Sequence, residues 1–437
     1  MDGESSTSST GSRLSRRGLL AVAGTAALAG CTSLGEFGGE SEPTINAYDL
    51  PDTGRRDDWD REPVVPESVP VGIAPEYFAA TRERITSLLD ELPTPLGPAE
   101  IPNGYVRQQL VDAATDAADG LSEAQGAPTE FVALTALRDA RAAARYAAAG
   151  WAVVEEDRSV DPLREEYRGT VADAESARES HEYVGDDPVR AALVHGRIEE
   201  QLARVIESDG PRRVDNRLLA VAEWGETAES ARARLDDARH LDEQFTAALP
   251  AEAGTVEGTL RAAAETLFAD AQSRASDVPP ESTAEDWGLQ ELVIHELRQD
   301  VKYGPTAVAD AAGPANAVVD ANRQLTRFEA LERLQARIDD GDLSRPESAD
   351  AVGELRSSAY DALEAALAES SAPELTRTAI TSAGWRVSQA DWELTRYDGE
   401  IPASRLDRTV AEYVVATAVG QAAPGVAEET VETLESA

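Results

Sequence analysis

The sequence predicts an all-α fold, either a multi-helix bundle or a short helical-repeat array, preceded by an N-terminal region without helical periodicity. From about residue 75 onward the strong helix formers Ala, Leu, Glu, Arg and Gln dominate. Pro, Gly, Asp and Ser gather at intervals that divide this region into roughly ten to twelve helices. Strand signals are nearly absent, since only 5% of the residues are aromatic and no convincing two-residue alternation of β-formers occurs.

Residues 1–30 have the layout of a signal peptide. Arg16 and Arg17 form a short basic region, and an apolar run from residue 18 to residue 30 follows it. This run is too short for a membrane-spanning helix, which needs about 20 apolar residues. We therefore expect an export signal that is removed from the mature chain.

Two short motifs specify the export route and the anchor. Arg16 and Arg17, followed by Leu19 and Leu20, resemble a twin-arginine signal, and the sequence Leu-Ala-Gly-Cys that ends at Cys31 is similar to a lipoprotein lipobox. The resemblance implies recognition by the export machinery, lipid attachment at Cys31 and a position on the outer face of the cell membrane. Cys31 is the only cysteine, so no intrachain disulfide is expected.

The charge composition is strongly acidic, with 82 acidic and 40 basic residues and a net charge of −42. Lys302 is the only lysine, and together with the Ala-rich composition this resembles the proteins of haloarchaea. Multi-molar salt screens the self-repulsion, because the Debye length is only about 3 Å at 1 M. The alternative is that the charge recruits cations or a basic partner. Nucleic acid is not an expected partner, since no run of the chain supplies a basic face.

Residues 31–74 contain few apolar side chains and many Pro, Gly and Asp residues. This composition predicts a flexible tether that carries the helical region away from the membrane. The alternative is an extended arm that packs on the helices through Trp59 or Tyr48.

Two of the expected helices illustrate the pattern. Residues 189–206 place Val194, Ile198, Leu202 and Val205 on one face, and Gly210-Pro211 stops the chain beyond them. Residues 212–249 keep apolar spacings of three or four up to Pro250, as in the seam of a coiled-coil-like hairpin.

The boundaries between helices also carry signals. Asp187-Pro188 and Ser282-Thr283 are expected helix starts.

The helical region is long enough for one large core or for two helical domains, at 75–277 and 278–437. The similar sequences at 149–153 and 383–387 suggest an internal duplication, although chance recurrence in Ala-rich helices is the favoured interpretation.

Few residues form patterns that are typical of catalytic, metal-binding or ligand-binding sites. Asp236, Asp237 and His240 share one helix face and are the metal candidates, with a solvated acidic face as the alternative. Trp385 and Trp392 lie two helical turns apart and are the ligand candidates, with core packing as the alternative. Nucleophile elbows, P-loops and dinucleotide fingerprints are absent from the sequence.

The leading functional expectation is a non-enzymatic surface lipoprotein that needs no cofactor and binds or scaffolds another envelope protein. A solute-binding lipoprotein that serves a transporter is the first alternative. A metal-dependent helical enzyme built around Asp237 and His240 is the second.

Overall fold

The computed structural model describes residues 42–53, 64–93, 95–284 and 287–437, and in these residues the fold is all-α, as predicted. The described residues form thirteen α-helices: α1 Pro75–Leu89, α2 Gly104–Gly126, α3 Glu130–Glu156, α4 Asp161–Glu179, α5 Pro188–Ile206, α6 Arg217–Ala248, α7 Glu257–Ala275, α8 Leu289–Lys302, α9 Gly304–Ala309, α10 Pro314–Asp339, α11 Ala349–Glu369, α12 Pro373–Leu394 and α13 Asp407–Ser436. Four short strands form two antiparallel pairs, β1 (Thr44–Asn46) with β4 (Glu400–Pro402) and β2 (Val184–Gly185) with β3 (Gly254–Thr255). Arg16, Arg17, Cys31 and Trp59 lie outside the described residues.

Local capping explains where the helices begin. Asp187 accepts a hydrogen bond from the Arg190 N–H, so α5 starts at Pro188 as expected, and its four predicted apolar residues are buried. The longer helix α6 begins at Arg217 rather than at 212, because Asn216 caps it. The expected start at Ser282-Thr283 is wrong, since α8 begins only after Gly288.

Helices α1–α6 form a first group, in which α6 packs against α3, α4 and α5. Helix α6 is therefore surrounded by several helices and is not the seam of a simple hairpin. Its approach to α3 depends on Gly225, where a Cβ atom would lie 2.5 Å from the Ala149 Cβ atom. Small residues on both helices allow this close packing.

Helices α7–α13 form a second group around α13, which contacts α7, α8, α10, α11 and α12. The run Glu412 to Val415 lies within α13 and is buried. Helix α7 falls before the expected division at 277, yet it packs on α10 and α13. Helix α5 packs against α10, and residues 43–437 form one compact unit.

Parts of the region 31–74, expected to be a flexible tether, pack on the helices. Ile45 in β1 is 2% exposed, and Val65 is 3% exposed. The backbone at Val65 lies so close to α12 that a Cβ atom on Gly384 would come within 2.8 Å of the Val65 nitrogen. The sequence does not reveal this arm because its buried residues are too few and too widely spaced to give a periodic apolar pattern.

Of the two side chains suggested as anchors for such an arm, only Tyr48 lies among the described residues, and it does not pack on the helices. Tyr48 is 77% exposed, and Trp59 lies outside the described residues. No helix among the described residues combines the length and apolarity that a bilayer span requires.

Candidate functional site

Four segments converge on a cleft of about 280 Å³: the arm at residues 67–68 and helices α5, α10 and α12. We call it the arginine cleft, because its lining includes Trp385 and five arginines, Arg197, Arg204, Arg323, Arg327 and Arg377. Among the described residues, Glu67 and Glu200 are the only acidic side chains that line it. Its lining is therefore predominantly cationic, in a chain whose net charge is −42.

Helical spacing places these side chains together. Arg323 and Arg327 lie one turn apart on α10, and Arg377, Thr381 and Trp385 follow at four-residue intervals on α12. Residues four apart share a helix face. This spacing is the signal that could have identified the cleft from the sequence, although nothing in it shows which faces meet.

Two arginines on α5 are neutralised by carboxylates. Arg197 donates to Glu200 Oε2 at 2.6 Å and to Glu67 Oε2 at 3.1 Å. Arg204 donates to Glu200 Oε1 at 2.6 Å. The pairing with Glu67 also ties the arm to α5, so these two arginines form and hold the cleft wall.

Two other arginines have weaker counter-ions. Arg327 Nε lies 3.9 Å from Asp300 Oδ2, and Arg377 Nε lies 3.5 Å from Glu374 Oε2. The Arg377 Nε atom is buried, and among the described residues it has no hydrogen-bond partner. Arg327 and Arg377 thus hold binding capacity that their neighbours do not use.

The pKa of Arg327 also indicates that its charge is incompletely neutralised. Burial lowers the pKa of Arg327, Asp300 opposes that effect, and the nearby guanidinium groups of Arg323 and Arg386 lower the pKa further. A cation that is desolvated and surrounded by like charge is stabilised by an anion. The cleft is therefore suited to an anionic ligand.

The two tryptophans proposed as a ligand clamp lie in different surroundings. Trp385 is 51% exposed and lines the arginine cleft. Trp392 is partly buried, with the Arg396 guanidinium 4.7 Å from its ring centre, and it does not line the cleft. Of this pair, Trp385 alone offers an aromatic face to a ligand in the cleft.

The metal candidates on α6 are engaged in other contacts. Asp237 Oδ1 accepts a hydrogen bond from the Tyr77 hydroxyl at 2.7 Å, and Asp237 Oδ2 faces Arg138 Nη1 at 3.4 Å. His240 Nε2 accepts from the Ala74 N–H at 3.1 Å, and its ring stacks on Tyr77. These two side chains hold the start of α1 against α6.

Asp236 belongs to an ionic network between α1, α3 and α6. It accepts a hydrogen bond from Arg141 at 3.0 Å, and Arg141 also contacts the fully buried Glu229, which Arg84 binds through two nitrogens. Burial alone would raise the pKa of Glu229, but the Arg84 hydrogen bonds and the Arg141 charge lower it to about 2. The carboxylates therefore have arginine partners, and the structure does not gather the three candidates around a vacant metal position.

Comparisons with known proteins divide the chain where the helix packing changes. Residues 76–252 match a family model described as Domain of unknown function (DUF8262), and residues 257–432 match Domain of unknown function (DUF8264). No curated protein and no solved structure gave a significant match. The similar sequences at 149–153 and 383–387 lie on the third helix of the first segment and the sixth of the second, so they are not at equivalent positions.

The arginine cleft spans both matched segments. Arg197 and Arg204 belong to the first, whereas Arg323, Arg327 and Arg377 belong to the second. The chain is thus similar to two domain families along adjacent segments, and residues from both form the cleft.

Proposed function

We propose that this chain is a lipid-anchored, non-enzymatic binding protein on the outer face of a halophile's cell membrane, and that it binds a small anionic solute in the arginine cleft. The observation that carries the proposal is the pair Arg327 and Arg377, incompletely neutralised beside the exposed ring of Trp385. This favours solute binding over scaffolding of an envelope protein.

The chemistry of the cleft defines the class of solute. Guanidinium groups bind carboxylate or phosphate oxygens with two parallel hydrogen bonds. The indole of Trp385 supplies a flat apolar surface next to them. A volume of about 280 Å³ lies just below the usual range of ligand sites, which is about 300–1,000 Å³. We infer a small carboxylate or phosphate compound with a flat or apolar part.

The two threonine hydroxyl groups of the cleft are not arranged as activated nucleophiles. Thr381 Oγ1 donates to the Arg377 carbonyl at 2.9 Å, and Thr378 Oγ1 donates to the Leu375 carbonyl at 2.7 Å. A nucleophilic hydroxyl needs an adjacent general base instead. These two groups are committed to their own helix.

Removal of the two incompletely neutralised charges tests the cleft. We expect the double variant Arg327→Gln/Arg377→Gln to bind phenyl phosphate at least about 100-fold more weakly than the wild type, because the two lost charge-assisted hydrogen bonds contribute about 1.5–3 kcal/mol each and about 1.4 kcal/mol corresponds to a factor of ten. Isothermal titration in multi-molar KCl measures the affinity. Arg333→Gln is the matched control, since this guanidinium lies on α10, pairs with Glu329 and does not line the cleft.

The contribution of the Trp385 ring distinguishes solutes with a flat apolar part from simple anions. Trp385→Ala should weaken binding of phenyl phosphate and leave binding of inorganic phosphate unchanged. A wild-type protein that binds neither probe, or an Arg333→Gln variant that loses as much affinity as the double variant, would reject the proposed site.

The anchor is tested separately. Cys31→Ser should move the protein from the membrane fraction to the soluble fraction, because the thiol that would carry the lipid is gone. Western blotting of fractionated cells measures the distribution. Arg16→Lys with Arg17→Lys should instead leave unprocessed precursor inside the cell. A Cys31→Ser protein that stays membrane-bound would rule out the lipid anchor.

A further inference from the structure

A buried histidine, a partly buried histidine and a carboxylate meet where the chain between α4 and α5 crosses α6. His181 follows α4, His195 lies on α5 and is fully buried, and Asp242 lies on α6. His181 Nε2 lies 3.0 Å from His195 Nδ1, and His181 Nδ1 lies 3.6 Å from Asp242 Oδ1. One donor atom from each side chain lies within 4.8 Å of the other two.

We propose that His181, His195 and Asp242 form a binding site for one divalent transition-metal ion of the zinc or cobalt type. Two imidazole nitrogens and one carboxylate are ligands that such ions accept, with a further position left for water. The site is independent of the arginine cleft and differs from the expectation that the chain needs no cofactor.

The proton positions supply the main argument. His195 Nε2 lies 2.8 Å from the Val184 carbonyl, so it carries the hydrogen and His195 Nδ1 is an acceptor. If neutral His181 is protonated at Nε2, its Nδ1 lone pair faces the Asp242 carboxylate. If it is protonated at Nδ1, its Nε2 lone pair faces His195 Nδ1. Either tautomer leaves two acceptors opposed, and an additional cation at the site relieves this.

A proton is the poorer candidate for that cation. Burial lowers the pKa of His181, and burial is also the main reason why the pKa of His195 is lowered to about 4. Burial therefore favours the neutral form of both rings, which is the form in which imidazole binds metals. A divalent ion satisfies the converging lone pairs without charging either ring.

The surroundings match those of known metal sites in two respects. The bond from His195 to the Val184 carbonyl fixes the ring orientation, as the outer contacts of metal-binding histidines do. The Asp242 side chain is 41% exposed, while that of His181 is only 6% exposed. An ion can enter from the Asp242 side, and rotation of this carboxylate adjusts its distance to the ion.

The sequence spacing hides this cluster. His181 and His195 are 14 residues apart on either side of β2, and Asp242 lies on a third segment. No short ligand motif relates them, so only the packing of α5 against α6 brings them together.

Titration of the full chain with Co²⁺ in multi-molar KCl tests the proposal. We expect one ion per chain, with the intense visible absorption of nitrogen-ligated cobalt of low coordination number. His181→Gln should reduce the affinity at least 100-fold, and Asp242→Asn at least tenfold. His240→Gln is the matched control, since it removes an imidazole whose Nε2 binds the Ala74 N–H elsewhere, and it should leave the affinity unchanged.

A second measurement covers variants that fold poorly. Zn²⁺ should raise the thermal unfolding temperature of the wild type and of His240→Gln equally, that of Asp242→Asn less, and that of His181→Gln least at the same Zn²⁺ concentration, because the stabilisation follows the affinity of the folded state for the ion. Weak octahedral cobalt absorption would mean adventitious binding to surface carboxylates and would overturn the proposal. Equal affinities in His181→Gln and wild type would do the same.

Discussion

Replacement of Glu229 by Gln is expected to lower the free energy of unfolding by about 3–5 kcal/mol, the usual cost of removing one partner from a buried ion pair. Glu229 is fully buried and accepts hydrogen bonds from Arg84 at 2.8 and 3.1 Å and from Arg141 at 2.5 Å. A glutamine places an NH₂ group, which is itself a donor, against these donor groups. Of its two carboxylate partners, Arg141 then keeps only Asp236. Urea denaturation in multi-molar KCl measures the change.

Glu226→Gln is the control for Glu229→Gln. Glu226 lies one turn earlier on α6 and is exposed, so its replacement removes the same charge without breaking the network. Its effect should stay within about 0.5 kcal/mol. Equal losses in both variants would show that overall charge, and not the buried contacts, determines the stability.

The pKa of Glu229 defines how its contribution to the free energy of unfolding changes with pH. Its folded pKa of about 2 lies below the ordinary value of 4.5. The stabilisation is therefore fully present above pH 4.5 and is lost as the pH falls towards 2. The Gln variant lacks this contribution, so its stability should fall less steeply than that of the wild type in this range.

The second large effect concerns Glu199, which joins α5 to α10. This buried carboxylate accepts hydrogen bonds from the Asn316 N–H at 2.6 Å, the Ala315 N–H at 3.3 Å and the Tyr183 hydroxyl at 2.6 Å. Burial raises its pKa to about 7, although these three hydrogen bonds oppose the shift. It therefore caps α10 from another helix and titrates near neutral pH.

We expect Glu199→Gln to gain stability relative to the wild type as the pH rises from 4.5 to above 7. In this window the unfolded chain releases its proton before the folded one, so the wild type loses stability with increasing pH. A shift from 4.5 to about 7 corresponds to a relative change on the order of 3 kcal/mol. Urea denaturation at pH 5, 6, 7 and 8 measures the difference between the two proteins.

Glu207→Gln serves as the control for that titration. Glu207 is exposed at the end of α5, and it carries the same charge without a contact to α10. Its stability should keep a constant offset from the wild type across the same pH range. A constant offset for Glu199→Gln as well would mean that Glu199 does not titrate in this range.

Local properties of the chain were predictable. The apolar spacing of residues 189–206 and the cap at Asp187 predicted α5, because helix formation depends on neighbours within one or two turns. The start of α6 was less accurate, since several polar residues before Asn216 could have capped it. The arm around Ile45 and Val65 was not predicted, because its few apolar residues find their partners hundreds of residues away.

The helical class, the acidic composition and the motifs around Arg16 and Cys31 could be identified from the amino-acid sequence alone, because they follow from local patterns or from simple sums over residues. The packed structure was needed to show that Arg327 and Arg377 share a cleft, that Asp237 is paired with Arg138, and that His181 meets His195. This is because the partner of a side chain depends on which helix faces meet. Those contacts arise from the packing of the whole chain.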